Sequence, residues 1–291
     1  MLPAFALHRP RTAEEACALL ADLGEDAAPY AGGTELLLVM KLGFASPGHL
    51  VDVKRVAGFD AIDAGGERLR IGAVVTHRTL ERSAAVRRRA PLVNDVARHV
   101  ANVRVRNVGT VGGNLAFADP HSDLATLFLA LDGCVELVSP RGWREVALAD
   151  FVRGPWETAR AADELLAAVA CSPWPAGTAA SYVKFGVHER PTLGIAVALL
   201  PDGDGARIGA ARLAIGCVNP RPTRVTGAEA RLAGVTYREL GDVRNDVAAL
   251  AAESVDAVDD LHGSADYKRA MAGVFVKRVL ALAARRARAA A

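Results

Sequence analysis

A segment near the middle of the sequence is unusually rich in glycine: residues 105–123 read VRNVGTVGGNLAFADPHSD. Gly109, Gly112 and Gly113 have no Cβ atom, so the backbone there can adopt positive φ angles and approach a ligand closely. The part from Val108 to Asp123 is too polar for a core strand and too rich in glycine for a stable helix. It is therefore predicted to be a loop.

A second glycine pair, Gly32-Gly33, lies much earlier in the chain and is followed by Thr34 and the apolar run 36–40. Successive N–H groups in such turns can form an anion-binding concavity, and a helix starting behind each loop would add the positive end of its dipole. Neither segment fits G-x-G-x-x-G or G-x-x-x-x-G-K-[ST], which disfavours a Rossmann dinucleotide site and a P-loop. A single glycine pair is more often a simple turn. The residues alone indicate two loops that together could hold a pyrophosphate.

Helix and strand signals surround both loops. Thr12 is the predicted N-cap of a helix that Gly24 ends, and Glu15 completes its capping box. Strands are predicted near residues 28–31, 49–53, 68–73, 134–138 and 143–146. Helices are predicted near residues 36–40, from 79 onward, from 91 to 100 and over 124–131.

The stretch Ser172–Gly177, with its two prolines and a glycine, is typical of a linker and predicts a domain boundary near residue 175. Beyond it, a turn at 201–205 joins two apolar runs, which predicts an antiparallel hairpin. The last helix carries an apolar stripe expected to pack on that sheet: Met271, Val274, Phe275, Val279 and Leu282. The predicted domains are residues 1–175 and 176–291.

Composition excludes several classes of function. The chain has 291 residues and a net charge of +2, so it can form two domains and has no strong attraction to nucleic acid. The cysteines are scattered without a C-x-x-C pair, which predicts buried, reduced thiols and no metal site in this chain: Cys17, Cys134, Cys171 and Cys217. The first residues lack a secretory signal and no apolar run is long enough for a membrane span, so the expected location is the cytoplasm.

Residues 105–123 closely resemble a signature of the flavoprotein subunits of the xanthine dehydrogenase and carbon monoxide dehydrogenase family of molybdenum hydroxylases. That signature is a T-[IVL]-G-G-N turn, a proline six residues after the asparagine and an aspartate three residues beyond. Residues 31–41, AGGTELLLVMK, resemble the first FAD loop of the family, and residues 182–186 and 262–269 resemble its C-terminal patterns. Four matches in the family's order span nearly the whole chain, which is identified as a member of this family, its FAD-binding (medium) subunit.

The resemblance implies an α+β fold in which a two-subdomain FAD-binding domain, divided near residues 55–60, precedes a C-terminal domain of antiparallel sheet and helices. It also implies these cofactor-binding residues: Pro29, Tyr30, Ala31, Gly32, Gly33, Thr34, Glu35, Leu36, Val100, Thr110, Val111, Gly112, Gly113, Asn114, Asp123, Leu166 and Lys184. Glu35 is expected to act through its backbone only, because its carboxylate would repel a phosphate.

Several implied residues have an ordinary alternative. Asp123 matches an aspartate facing the flavin, but it could also be the N-cap of the helix beginning at residue 124. Lys184 matches a lysine near the flavin ring, but it could equally be an exposed strand lysine. Val100 and Leu166 match apolar positions lining the cofactor, where a core role is more usual. His121 is expected to be a surface or supporting histidine, and no catalytic residue is predicted.

The implied function is electron transfer through FAD. The resemblance implies a small iron–sulfur subunit and a large molybdopterin-binding subunit as partners, arranged as a dimer of heterotrimers, with molybdopterin and iron–sulfur clusters on those partners only. The flavin subunit would accept electrons from the clusters and pass them to an external acceptor. The sequence identifies neither that acceptor nor the substrate.

Two alternatives remain. One is a stand-alone FAD-dependent oxidoreductase of the same superfamily; neither loop contains a histidine or cysteine at a known position of covalent flavin attachment, which counts against it. The other is a cofactor-free assembly protein, which would have no use for intact glycines in both loops.

Overall fold

The computed structural model describes residues 2–186 and 190–290, except for the side chains of 288–290, and divides into two compact units. The first contains the chain up to Ala118 together with Gly133–Ser172, and the second contains Asp119–Asp132 and the chain from Pro173 onward. Each unit combines helices with sheets, which confirms the predicted α+β class. The glycine-rich segment 105–123 contributes residues to both units.

The described residues form helices and strands in an irregular alternation. The helices are α1 (Ala13–Leu23), α2 (Leu36–Lys41), α3 (His77–Arg82), α4 (Ala84–Arg89), α5 (Pro91–Ala97), α6 (Val103–Val108), α7 (Val111–Phe117), α8 (Asp123–Ala130), α9 (Leu148–Phe151), α10 (Thr226–Leu232), α11 (Leu240–Glu253) and α12 (Ala265–Ala290). The strands are β1 (Ala6–His8), β2 (Ala27–Tyr30), β3 (His49–Asp52), β4 (Ile62–Asp63), β5 (Leu69–Gly72), β6 (Cys134–Ser139), β7 (Gly142–Ala147), β8 (Val152–Gly154), β9 (Glu157–Thr158), β10 (Leu165–Cys171), β11 (Ala179–Phe185), β12 (Leu193–Pro201), β13 (Ile208–Gly216) and β14 (Thr223–Arg224). Two 3-10 turns cover Gly24–Asp26 and Val53–Arg55.

The first unit begins with a parallel three-stranded sheet in the order β1-β3-β2. Because the strands are parallel, the segments that follow β2 and β3 start at the same edge of the sheet. Helix α1 packs on this sheet. It begins at the predicted N-cap, since Oγ1 of Thr12 accepts the N–H of Glu15, although the carboxylate of Glu15 accepts the N–H of Arg11 and not that of Thr12. It ends at Gly24, where φ is +57°.

An antiparallel five-stranded sheet in the order β4-β5-β10-β6-β7 completes the core of the first unit. Every residue of its central strand β10 is buried. A strand covered on both faces needs apolar side chains on both, which explains its continuous run of leucine, alanine and valine. Helix α7 packs on β10 and β5 and so places the glycine-rich segment against this sheet.

The glycine-rich segment is not the irregular loop that its composition predicts, because Val111–Phe117 form α7. Thr110 is the N-cap, and its Oγ1 accepts the N–H of Gly113 at 3.1 Å. Gly112 lies so close to Ala73 that an ideal Cβ at position 112 would be 2.5 Å from Cβ of Ala73. Close packing and a good cap therefore outweigh the low helix propensity of glycine here.

The second unit contains an antiparallel four-stranded sheet in the order β11-β12-β13-β14. The predicted hairpin is confirmed, since β12 and β13 pair from Gly194–Gly216 to Pro201–Ile208. Helix α8 packs on β12 and β13, while α12 packs on β11 and β12. Apolar side chains from the sheet and from α10, α11 and α12 form one core.

The buried face of α12 is rotated slightly from the predicted stripe. Phe275 and Val279 are buried as predicted, but Val274 is exposed, and the core instead takes Val276 and Leu280. The periodicity was sufficient to predict the helix, but small neighbouring residues made its inward face ambiguous. Among the described residues, no helix combines the length and the apolarity that crossing a bilayer requires.

Candidate functional site

The first loop, residues 31–35, joins β2 to α2 and presents unused backbone donors. Gly33 has a φ of +70°, a conformation that residues with a Cβ rarely adopt. Its carbonyl oxygen accepts the N–H of Leu37 and so starts α2. Within the described residues, the N–H groups of Gly32, Gly33 and Thr34 donate to no protein acceptor. Adjacent unused donors in a turn are what an anion-binding concavity requires.

The second loop, residues 109–114, uses its backbone donors within the protein. Four consecutive N–H groups have acceptors: Val111 donates to O of Val75 at 2.9 Å, Gly112 to O of Ala73 at 2.8 Å, Gly113 to Oγ1 of Thr110 at 3.1 Å and Asn114 to O of Thr110 at 3.0 Å. These four N–H groups are therefore used within the protein, and the predicted contact of residues 110–114 with the cofactor stays a prediction. The second loop is held in place by these hydrogen bonds within the first unit.

The two loops lie against each other within the first unit. An ideal Cβ on Gly32 would be 2.2 Å from the carbonyl oxygen of Val108 and 2.8 Å from Cα of Gly109. Both distances are well inside van der Waals contact, so only glycine at position 32 allows this approach. The structure thus brings together two chain segments that the sequence analysis expected to meet.

The other first-unit residues implied by the resemblance have varied surroundings. The ring of Tyr30 supports the first loop, because an ideal Cβ on Gly33 would be 2.6 Å from its Cε2. Glu35 precedes α2, where its side chain makes no capping hydrogen bond. Val100 and Leu166 are buried, the usual environment for aliphatic side chains, so their contact with a cofactor stays a prediction.

Asp123 and Lys184 form an ion pair within the second unit. Ser122 caps α8 by accepting the N–H of Ala125 through Oγ at 3.1 Å, so the alternative prediction of Asp123 as the N-cap is wrong. The carboxylate of Asp123 is buried and accepts hydrogen bonds from Nζ of Lys184 at 3.0 Å and from Oη of Tyr182 at 2.8 Å. Lys184 is half-buried, so it is not the exposed strand lysine of the alternative prediction.

The residues that shape the surroundings of this ion pair were not singled out from the sequence. An ideal Cβ on Gly194 would be 2.2 Å from Oη of Tyr182, so glycine in β12 leaves room for the phenol. Burial, followed by the charge of Asp123, raises the pKa of Tyr182 well above 10.0, which keeps the phenol a hydrogen-bond donor. Burial also raises the pKa of Cys217. The available signal was a glycine inside an apolar strand, which often marks close approach.

His121 is held by neighbouring groups of the second unit. Its Nδ1 lies 2.7 Å from the carbonyl oxygen of Pro191, so Nδ1 carries the hydrogen, and its ring centroid is 5.3 Å from that of His262. Oδ1 of Asp119 accepts the backbone N–H of His121 at 2.9 Å, the hydrogen bond typical of an aspartate in a turn. In the parts of the chain that the structure describes, no group of three or more candidate ligands could hold a metal ion.

His77 lies against the second loop and was not singled out from the sequence. Its backbone N–H donates to O of Gly109 at 3.0 Å, and an ideal Cβ on Gly109 would be 3.2 Å from Cδ2 of the imidazole. The ring is buried, and its Nδ1 has no hydrogen-bond partner among the described residues. Burial, followed by the charge of Arg106, lowers the pKa of His77 to about 4, so the ring is neutral near pH 7.

Two family models match consecutive parts of the chain. Residues 3–173 match the FAD binding domain in molybdopterin dehydrogenase, and residues 186–283 match the CO dehydrogenase flavoprotein C-terminal domain. The chain belongs to the molybdenum-hydroxylase flavoprotein family. It is accordingly the FAD-binding medium subunit of an oxidoreductase.

Relatives in the molybdenum-hydroxylase flavoprotein family are similar over nearly the whole chain. The carbon monoxide dehydrogenase medium chain of Hydrogenophaga pseudoflava is 35% identical over 96% of both chains. The nicotine 6-hydroxylase medium subunit of Paenarthrobacter nicotinovorans is 35% identical over 96% of this chain and 97% of its own. A structure of the Hydrogenophaga pseudoflava carbon monoxide dehydrogenase matches with a TM-score of 0.93 over 98% of this chain and 99% of that chain. Quinoline 2-oxidoreductase from Pseudomonas putida 86, 31% identical, matches with a TM-score of 0.91 over 98% of both.

The observed residues fit the cofactor of the molybdenum-hydroxylase flavoprotein family. The N–H groups of Gly32, Gly33 and Thr34 can donate hydrogen bonds to a diphosphate, and the start of α2 orients these N–H groups. Because Gly32 has no side chain, the second loop can lie directly beside these donors. These three adjacent, partly exposed donors are available to an anionic ligand.

Proposed function

We propose that the first loop binds the diphosphate of FAD and that the chain transfers electrons within a molybdenum hydroxylase. The observation that carries this proposal is the set of unused N–H groups at Gly32, Gly33 and Thr34, lying beside the second loop. Donors already oriented by the fold bind an anion without further ordering of the backbone. Residues 1–175 are proposed as the FAD-binding domain and residues 176–291 as the C-terminal domain.

The protein's own contribution is binding and orientation, since FAD supplies the redox chemistry when it is bound. Thr110 holds the first turn of α7 in place through its hydrogen bond to Gly113. On the resemblance to the family, we propose that Asp123 and Lys184 contact the flavin, and that Val100 and Leu166 line the cofactor. The ion pair and the phenol of Tyr182 keep the Asp123 carboxylate in one orientation, which suits a fixed polar contact.

The proposed partners are a small iron–sulfur subunit and a large molybdopterin-binding subunit, assembled as a dimer of heterotrimers in the cytoplasm. Support comes from the relatives, which are named as a medium chain of carbon monoxide dehydrogenase and a medium subunit of nicotine 6-hydroxylase. In this proposal the chain accepts electrons from the iron–sulfur clusters of the small subunit and passes them to an external acceptor.

Purification of the full chain tests the proposal. We expect a yellow protein that releases FAD on denaturation, and an apoprotein that quenches FAD fluorescence at one FAD per chain. A colourless protein that cannot be reconstituted would contradict the proposal and favour the cofactor-free assembly protein. Turnover of an organic substrate by the chain alone would favour the stand-alone oxidoreductase, whereas co-purification with two further subunits supports the complex.

A further inference from the structure

Lys54 lies beside the first loop although it is distant from that loop in sequence. It belongs to the 3-10 turn Val53–Arg55 that follows β3, and Oδ1 of Asp52 accepts its backbone N–H at 3.1 Å. Strand β2 pairs in parallel with β3, with Tyr30 opposite Asp52. The turn and the first loop therefore leave the same edge of the sheet from adjacent strands.

The ammonium group of Lys54 makes three contacts at this edge. Nζ lies 3.2 Å from the carbonyl oxygen of Ala31, 3.1 Å from Oδ1 of Asp52 and 3.8 Å from the centroid of the Tyr30 ring. The same ring has its Cε2 edge against Gly33. The Tyr30 ring thus contacts the ammonium of Lys54 with its face and lies against the turn at Gly33 with its edge.

The ammonium of Lys54 supplies a full positive charge beside the first loop. Residues 31–35 contain no lysine or arginine, and the backbone N–H groups of the loop carry only partial positive charge. Asp52 is buried, whereas Lys54 is partly exposed, with 43% of its side chain accessible to solvent. The ammonium is therefore not enclosed by its carboxylate partner and can act on an anion at the loop.

We infer that Lys54 is a further cofactor-binding residue, which adds positive charge to the site where the first loop holds a diphosphate. The inference rests on the proposed function, because it specifies how that same site attracts its anion. Lys54 also bonds Ala31, so a purely structural role in ordering the loop is the competing explanation that an experiment must separate.

The charge of Lys54 and a purely structural role predict different effects of Lys54→Met and Asp52→Asn on the dissociation constant of FAD. FAD is titrated into the full-length apoprotein and the dissociation constant is measured by fluorescence quenching at several salt concentrations. Lys54→Met should weaken FAD binding about tenfold and flatten its salt dependence. Asp52→Asn keeps a good cap for the turn but leaves the ammonium unneutralised, so it should tighten binding about threefold. Lys54→Arg should bind within about threefold of the unchanged protein.

The control is Arg55→Met, which removes the same charge from the adjacent exposed residue and should change the dissociation constant by less than about twofold. If Lys54→Met and Asp52→Asn weaken binding alike, or if Lys54→Met matches Arg55→Met, the inference is overturned. The proposed function fails separately, in the unchanged protein, if that protein does not bind FAD at all.

Discussion

Oη of Tyr182 donates a hydrogen bond of 2.8 Å to Oδ1 of Asp123, a carboxylate buried at the start of α8. Nζ of Lys184 bonds the other carboxylate oxygen at 3.0 Å, so both oxygens have a donor. Burying a charge is tolerated only when it is paired and hydrogen-bonded. The stability of the second unit therefore depends on each of these partners.

Substituting Lys184 alone should lower the free energy of unfolding more than substituting both members of the ion pair. Lys184→Met leaves the buried carboxylate with a single donor and should lower the free energy of unfolding by about 2 kcal/mol. Adding Asp123→Asn to that variant should recover more than half of the loss, because the buried charge is gone. Urea unfolding of the two single variants and the double variant measures this coupling; additive losses would show that the two side chains do not interact.

Gly32→Ala should abolish FAD retention while leaving the chain folded. Its Cβ would lie 2.2 Å from O of Val108, so the two loops must separate. Gly66→Ala is the matched control, since that turn has no atom within 4 Å of an added Cβ. The flavin absorbance per chain after purification measures the FAD content of both variants. Equal FAD content in the two variants would refute the assignment of the diphosphate site.

Thr110→Val should destabilise α7 and weaken FAD binding together. The substitution keeps the shape of the side chain but removes the oxygen that caps Gly113, a loss of about 1 kcal/mol of stability. Thr110→Ser retains the cap and is the control. Thermal unfolding and FAD titration of both variants check the prediction, which does not survive if valine and serine behave alike.

The first unit should lose stability on acidification because of His77. Its folded pKa is lowered to about 4 from 6.5, so the unfolded chain takes up a proton first as the pH falls. The stability contributed by the neutral ring is complete above pH 6.5 and declines progressively toward pH 4, by about 3 kcal/mol in all.

The test compares His77→Leu with the unchanged protein by urea unfolding between pH 7.5 and pH 4.5. Leucine cannot be protonated, so the variant should show a shallower fall in unfolding free energy over this range. A constant difference between the two proteins at every pH would mean that His77 is not the responsible group.

Much of the fold followed from local signals. Thr12 and Gly24 mark the two ends of α1 as predicted, and the 201–205 turn joins β12 to β13 as predicted. Capping and turn chemistry involve residues only a few positions apart, so one sequence contains the whole signal. The segment Val111–Phe117 was assigned wrongly, because its helix depends on packing against Ala73, far away in the chain.

The candidate site was only partly accessible from sequence. The glycines of both loops were found because a missing side chain is visible in the sequence itself. The sequence does not show which N–H groups remain without a protein acceptor, because the acceptors of Val111 and Gly112 are the carbonyl oxygens of Val75 and Ala73, far away in the chain. Tyr182 and Lys54 were missed for the same reason: their partners, Asp123 and Ala31, lie on other elements.

The sequence by itself determined the family, the α+β class, the two glycine loops and the ends of the best-capped helix. Only the tertiary structure decided that, among the described residues, the N–H groups of Gly32, Gly33 and Thr34 have no protein acceptor, whereas those of residues 111–114 have one. It also decided that Asp123 is buried and bonded to Tyr182 and Lys184. The physical reason is range: backbone preferences and periodicity act within a few residues, whereas hydrogen-bond partners and close contacts are chosen by chain segments that meet only in the folded protein.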